Sequence, residues 1–206
     1  MSIKIITISR EYGSGGRAIG QQVAEQLGWA FYDKELIARA AEETGFAESF
    51  IKKYGEQRSM SNFLSLPFSG MTFNGMSAED YLWSIQRKII RELADEGPCV
   101  IVGRCSDYIL KDRRDALHIF VHGNDLDKIK RIQNVYHDTP DNPVKRLAEV
   151  DRSRSRNYRY YTDREWGASS NYSLCLNSSL FGVDGCTDII VELAKRVKSV
   201  RTAEED

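Results

Sequence analysis

The apolar positions of this chain change period several times, and each change marks an element. Ile3 to Ile8 (Ile-Lys-Ile-Ile-Thr-Ile) is short and rich in β-branched residues, the composition of a buried strand. Beyond the glycines at 13, 15 and 16 the period becomes helical, with Ile19, Val23 and Leu27 on one face and Gly28 as a stop. Trp29 to Tyr32 predicts a second strand, and Asp33 stands where it would cap a helix running to about Thr44. Residues 45–77 hold small, polar and large apolar side chains with no steady period, which predicts a mobile insertion rather than a separate domain. Tyr81, Ile85, Ile89 and Leu93 then mark a helix from about Ala78 to Glu96. Cys99–Gly103 and Ala116–His122 predict the third and fourth strands, with a helix from about Asp125 to Tyr136 behind them. A long Arg-rich helix is expected from Pro143 to about Tyr161, a fifth strand over Tyr172–Asn177, and a closing amphipathic helix over Thr187–Val200. This alternation predicts an α/β fold, one domain over residues 1–206, with a five-stranded, mainly parallel sheet and helices on both faces. Only Thr202–Asp206 is expected to be disordered.

Composition narrows the function. A chain of 206 residues with 41% hydrophobic and 29% charged residues buries one core and keeps a solvated surface. It has no run of eighteen apolar residues, and its first residues lack the basic and long apolar regions of a secretory leader, so a cytoplasmic location is expected. Twenty-nine Lys and Arg against thirty Asp and Glu leave a net charge of −1. That balance argues against nucleic acid as a partner and makes any strong positive field local. The four cysteines never approach C-x-x-C spacing and read as reduced thiols. His118 and His122 would pair as metal ligands on a helix, but Ile119-Phe120-Val121 between them reads as strand.

The candidate chemistry starts at Gly13-Ser-Gly-Gly-Arg-Ala-Ile-Gly20, set between a strand and a helix. Glycines there let successive N–H groups converge on an anion, and a helix N-terminus adds partial positive charge. Two readings compete. As a P-loop the match is degenerate: Arg17 takes the lysine position, Glu11 replaces the first glycine and Ala18 replaces the hydroxyl residue. As a dinucleotide fingerprint, Gly13-x-Gly15-x-x-Ala18 fits, and Asp33 ends the second strand where a ribose-binding acid belongs. Arginines further along favour the first reading. Asp151-Arg-Ser-Arg-Ser-Arg-Asn-Tyr-Arg159 is the densest charged stretch, and on a helix Asp151, Arg154 and Tyr158 share a face. Forked guanidiniums suit the spread negative charge of a phosphoryl group in transfer. Arg104, directly after the third strand, falls where ligands of open α/β sheets bind. Asp33 has two complete explanations, helix cap or ligand contact, and Arg39 lies on the helix that Asp33 would open.

These pieces together resemble the cytidylate kinase-like family of P-loop nucleoside monophosphate kinases. The most specific stretch is Thr7-Ile-Ser-Arg-Glu-Tyr-Gly-Ser-Gly-Gly-Arg-Ala-Ile-Gly20; Phe31-Tyr-Asp-Lys-Glu-Leu-Ile37, Val100-Ile-Val-Gly-Arg-Cys105, Asp151-Arg-Ser-Arg154 with Tyr158, and Tyr172-Ser-Leu-Cys-Leu-Asn-Ser178 follow in order. The resemblance implies a three-layer P-loop NTPase fold, an acceptor-site insertion at 45–77 and a lid region at 140–165 built on the Arg-rich helix. It implies that Gly13, Ser14, Gly15, Gly16, Arg17 and Ala18 hold the donor phosphates, with Arg17, Arg152 and Arg154 as catalytic groups. Asp33, Arg39, Arg104 and Asp151 would serve the acceptor. Implied partners are ATP, Mg2+ and a nucleoside monophosphate, CMP or dCMP first among them, with no nucleic-acid or membrane partner. Departures from the family pattern are Lys34 in place of a small hydroxyl residue, Cys105 in place of an aspartate, and Ala18, which leaves the magnesium ligands open. They keep two other readings alive, a nucleotide sensor without transfer and a kinase of a small non-nucleotide alcohol.

Overall fold

The computed structural model describes residues 2–33, 42, 72–73 and 76–197. Five strands form the main sheet: β1 (Ile5–Arg10), β2 (Ala30–Tyr32), β5 (Cys99–Val102), β6 (Ala116–His122) and β7 (Leu174–Asn177). They are all parallel, in the order β2-β5-β1-β6-β7. Parallel strands joined by helical crossovers are covered on both faces, which is why the central strands carry near-continuous apolar runs. Alternate residues of β1 serve opposite layers. Ile6 and Ile8, with Val100, Val102, Ile119 and Val121, pack under α1 (Gly16–Leu27) and α6 (Ser178–Arg196). Ile5, Cys99 and Ile101 pack against α2 (Ala78–Glu96) and the single turn α3 (Ser106–Ile109). Among the described residues, two further helices, α4 (Asp125–Asn134) and α5 (Pro143–Thr162), lie between β6 and β7 in the chain.

Strand order decides between the two readings of the glycine loop. In a dinucleotide-binding sheet the second strand lies beside the first. Here β5 separates β2 from β1, and β1 sits between β5 and β6. The dinucleotide reading is therefore set aside. Spacing could not make that decision, because it fixes neighbours in sequence and not in the sheet.

Several boundaries differ from expectation for local reasons. A 3-10 turn at Ser169–Asn171 leads into β7, which begins at Leu174 rather than Tyr172. The last helix begins at Ser178, nine residues before its apolar period, because the Asn177 side chain accepts from the Ser179 amide at 3.0 Å. Gly182, at φ 71°, then breaks it. The turn α3 is too short to carry a period. Inside the 45–77 segment a small hairpin pairs β3 (Thr72–Phe73) with β4 (Met76–Ser77), and Ser77 caps α2 by accepting from the Asp80 amide. The rest of 45–77, the helix expected after Asp33 with Lys34 and Arg39, and the tail 202–206 lie outside the described residues. No helix among the described residues is long and apolar enough to cross a membrane.

Candidate functional site

The glycine loop sits at the carboxyl end of β1, and each glycine answers a close approach. Gly13 (φ 78°) and Gly15 (φ 81°) are left-handed. A Cβ on Gly13 would lie 2.7 Å from the Lys128 carbonyl oxygen, and one on Gly16 would lie 2.5 Å from Arg10 Cβ. Ser14 is turned inward: its amide and its hydroxyl both donate to the Glu11 carbonyl, at 3.3 and 2.8 Å. Gly15 caps α1, and the first intrahelical bond runs from the Ile19 amide to the Gly15 carbonyl at 3.0 Å. The amides of Gly15, Gly16, Arg17 and Ala18 therefore head the helix without helical partners, the arrangement that binds anions. Arg17 and Ala18 are exposed at this mouth. Arg17 Nε donates to Asp33 at 2.6 Å, and its guanidinium lies 5.9 Å from the Phe31 ring centroid. Asp33, at the end of β2, thus meets the loop through Arg17.

Helix α5 crosses the same strand ends. Asp151 accepts from the Tyr12 amide at 2.7 Å, and Arg154 donates to the Arg10 carbonyl at 3.1 Å and lies over the Tyr12 ring. Both residues therefore face the glycine loop, one turn apart on one side of the helix, whereas Arg152 is exposed. Burial pushes the Asp151 carboxyl up to about 6, against the Tyr12 amide and Arg154, which stabilise its charge.

Backbone strain concentrates after β5. Gly103, Arg104 and Cys105 have φ of 77°, 58° and 53°, three left-handed residues in succession of which only the first is glycine. The turn carries the Arg104 side chain inward, 7% exposed, to line a cavity of about 30 Å³ with Arg10, Arg154, Asn157 and Trp166. Sequence position placed Arg104 at this cleft. It gave no sign of Arg10, which the loop turns into the same space.

Beside that cavity is a polar cluster of which the sequence marked only Tyr158. Asp107 is buried and accepts from Tyr158 Oη at 2.7 Å and from Ser9 Oγ at 3.2 Å. Burial raises its carboxyl well above the ordinary range, the two hydroxyls offset part of that shift, and the same burial pushes the Tyr158 phenol upward. The bond ties α5 to α3 and β1. Asp107 and Tyr158 stand 51 residues apart on separate helices, so no local period links them and only the fold reveals the pair.

Helix α4 supplies two further cations. Lys128, buried, reaches Glu11 at 2.9 Å and Asp125 at 3.0 Å, and Glu11 also accepts from the Gly123 amide. Glu11, in the place of the usual first glycine, is therefore a brace behind the loop. Arg131 donates to the Gly13 carbonyl at 2.9 Å, and its guanidinium would stand 3.2 Å from a Cβ on Gly15. It also lines an open cleft of about 400 Å³ between α4 and the start of α6, with Asn134, Ser178 and Ser179. Neither cation belongs to a recognisable motif, though their i,i+3 spacing on a helix places both on one side.

A five-stranded parallel sheet with β1 at its centre, and a glycine loop passing from β1 into α1, define a P-loop kinase fold. Solved structures of that architecture align over nearly the whole chain. An uncharacterized protein from Eubacterium ventriosum is 24% identical over 95% of this chain and 100% of its own, with a TM-score of 0.71. Shikimate kinase from Acinetobacter baumannii, solved with shikimate, is 14% identical over 93% and 92% with a TM-score of 0.54. A gluconokinase from Sinorhizobium meliloti is 16% identical over 95% and 91% with a TM-score of 0.50. No curated protein matches the sequence. The chain belongs to the cytidylate kinase-like family, whose model matches residues 5–180.

Proposed function

We propose that this protein transfers the γ-phosphoryl group of ATP to a nucleoside monophosphate, CMP or dCMP. The observation that carries this reading is the meeting, at one set of strand ends, of a helix-opening glycine loop with arginines from three separate segments. A phosphoryl group in flight needs positioning and charge neutralisation more than covalent help. The donor phosphates lie on the amides heading α1, and the donor nucleoside extends past Arg131 into the 400 Å³ cleft between α4 and α6. Asp33 holds Arg17 by Nε, which leaves the terminal fork of the guanidinium for phosphate oxygens. Arg104 and Arg10 receive the acceptor phosphate, and Arg154 bridges donor and acceptor from α5.

In this reading α5 acts as a lid. A 30 Å³ cavity holds about two water molecules, so the acceptor enters only when α5 moves away and the contacts of Asp151 and Arg154 with the loop reopen. Reclosure excludes water from the transferring group. Magnesium arrives with ATP. Position 18 offers a methyl group, and among the described residues no group of three or more His, Cys, Asp or Glu is placed to hold an ion. Position 18 therefore supplies no ligand, and Mg2+ carried on the donor phosphates would supply charge neutralisation there.

An ADP-release assay across the nucleoside monophosphates and small hydroxy acids tests the proposal. The expected result is ADP formation with CMP or dCMP. Binding of ATP without ADP formation for any acceptor would identify a sensor, and activity confined to small alcohols would overturn the nucleotide acceptor.

A further inference from the structure

The carboxamide of Asn157 stands out within the cavity under α5. It is 5% exposed and lines the cavity with Arg10, Arg104 and Arg154, yet its Oδ1 accepts no hydrogen bond among the described residues. A buried carbonyl oxygen without a donor costs folding free energy, and few native groups are left so. The neighbourhood makes the orphan sharper. Three guanidiniums line the same space, and none of them donates to this acceptor atom. Such an atom calls for an explanation, and a donor group entering the cavity supplies one.

We infer that Asn157 is a specificity-determining residue for the phosphoryl acceptor, its Oδ1 accepting a hydrogen bond from an O–H or N–H group of the acceptor molecule. The inference rests on the kinase reading above and names one chemical requirement within it. The guanidiniums demand an anionic end on the acceptor. Asn157 demands a donor close to that end, as a phosphorylated sugar or aminated base provides. A site with a buried acceptor atom rejects an analogue lacking the donor far more strongly than an apolar pocket rejects a missing methylene. The stability of the ligand-free protein follows from the same geometry. Replacing the carboxamide by an apolar group of similar shape removes an unsatisfied atom and breaks no bond of Oδ1, so the folded state is expected to gain or hold its ground.

The test compares wild type, N157L and N157A by thermal unfolding without ligand, by titration with CMP, and by steady-state kinetics with CMP, dCMP and UMP. The expected result has four parts. The unfolding temperature is unchanged or higher, and KM for CMP rises tenfold or more. KM for ATP stays within twofold. The loss is erased for dCMP if the donor is the 2′-hydroxyl, erased for UMP if it is the base amino group, and equal for all three if it is the 3′-hydroxyl they share. A lower unfolding temperature with an unchanged KM for CMP would make Asn157 a structural residue and overturn the inference. If wild type binds CMP but releases no ADP, the kinase reading fails while the Asn157 assignment is still read from the dissociation constants. If wild type turns over and both variants match it, the kinase reading stands and this inference falls.

Discussion

At the scale of single residues, the loop is governed by what has no room for a side chain. Gly13→Ala places a methyl 2.7 Å from the Lys128 carbonyl and demands a positive φ, two penalties that cannot be relieved by rotating a side chain. It is expected to lower stability by about 1–3 kcal/mol, read by urea unfolding, and to abolish ATP binding. Arg17→Ala and Arg154→Ala should each lower kcat/KM by about a hundredfold or more, roughly 3 kcal/mol of transition-state stabilisation. Turnover left intact by either change would remove that arginine from the mechanism.

Asp151 gives a pH signature. Its carboxyl is pushed up to about 6 in the folded protein by burial, against roughly 3.9 in an unfolded chain. The folded state therefore holds the proton more tightly, and this contribution is fully present below pH ~4 and lost as pH rises through about 6. The groups around it are the Tyr12 amide, Arg154, Glu11 and Lys128. Relative to D151N, wild-type stability should fall by up to roughly 3 kcal/mol between pH 4 and 7, measured by urea unfolding at both ends. A difference that does not change with pH would show that Asp151 is ionised throughout.

At the scale of elements, α5 is the decisive piece. The sequence gives it a start: Pro143 in the first turn, with Asn142 before it accepting from the Lys145 amide at 2.9 Å. Its Arg-rich run predicted a helix, and a helix is there, but which arginine turns inward depends on how that helix lies over the strand ends. Arg154 does and Arg152 does not. The far end is held by Tyr158 on Asp107 and by Tyr161 stacked on Trp83 of α2 at 4.4 Å. Tyr158→Phe leaves the buried Asp107 carboxyl one donor short, so a loss of about 1–3 kcal/mol is expected, with faster amide hydrogen exchange along α5. Unchanged exchange would mean that the bond does not restrain the helix. The last helix makes the complementary point: its second half was legible from Ile190, Leu193 and Val197, while its first turn, broken off at Gly182, was set by a side-chain cap that periodicity does not record.

At the scale of the whole molecule, binding and folding are linked. A donor nucleotide that fills the loop stabilises the native state by RT ln(1 + [L]/Kd), about 2.7 kcal/mol at a hundredfold excess over Kd. For a chain of this length that corresponds to a rise of roughly 5–10 °C in Tm. Dye-monitored unfolding with ATP should show it in wild type and not in Gly13→Ala. A wild-type Tm indifferent to ATP would leave the glycine loop without a nucleotide.

The elements of the sheet were determined by the sequence alone, because burial on both faces forces apolar runs such as Ile5–Ile8 and Cys99–Val102, and because glycines at 13 and 15 allow the left-handed turn that ends β1. Local chemistry fixes local geometry. Three matters waited for the tertiary structure: which strand lies beside β1, and so which reading of the glycines is right; the convergence of Arg10, Arg104 and Arg154 on one cavity; and the burial of Asp107 under α5 and of Asn157 on that helix's inner side. Each of these depends on contacts between residues far apart in the chain. No period or motif carries that distance, since it is the packing of layers that creates the low-dielectric space in which a charge or an unmatched carbonyl acquires its meaning.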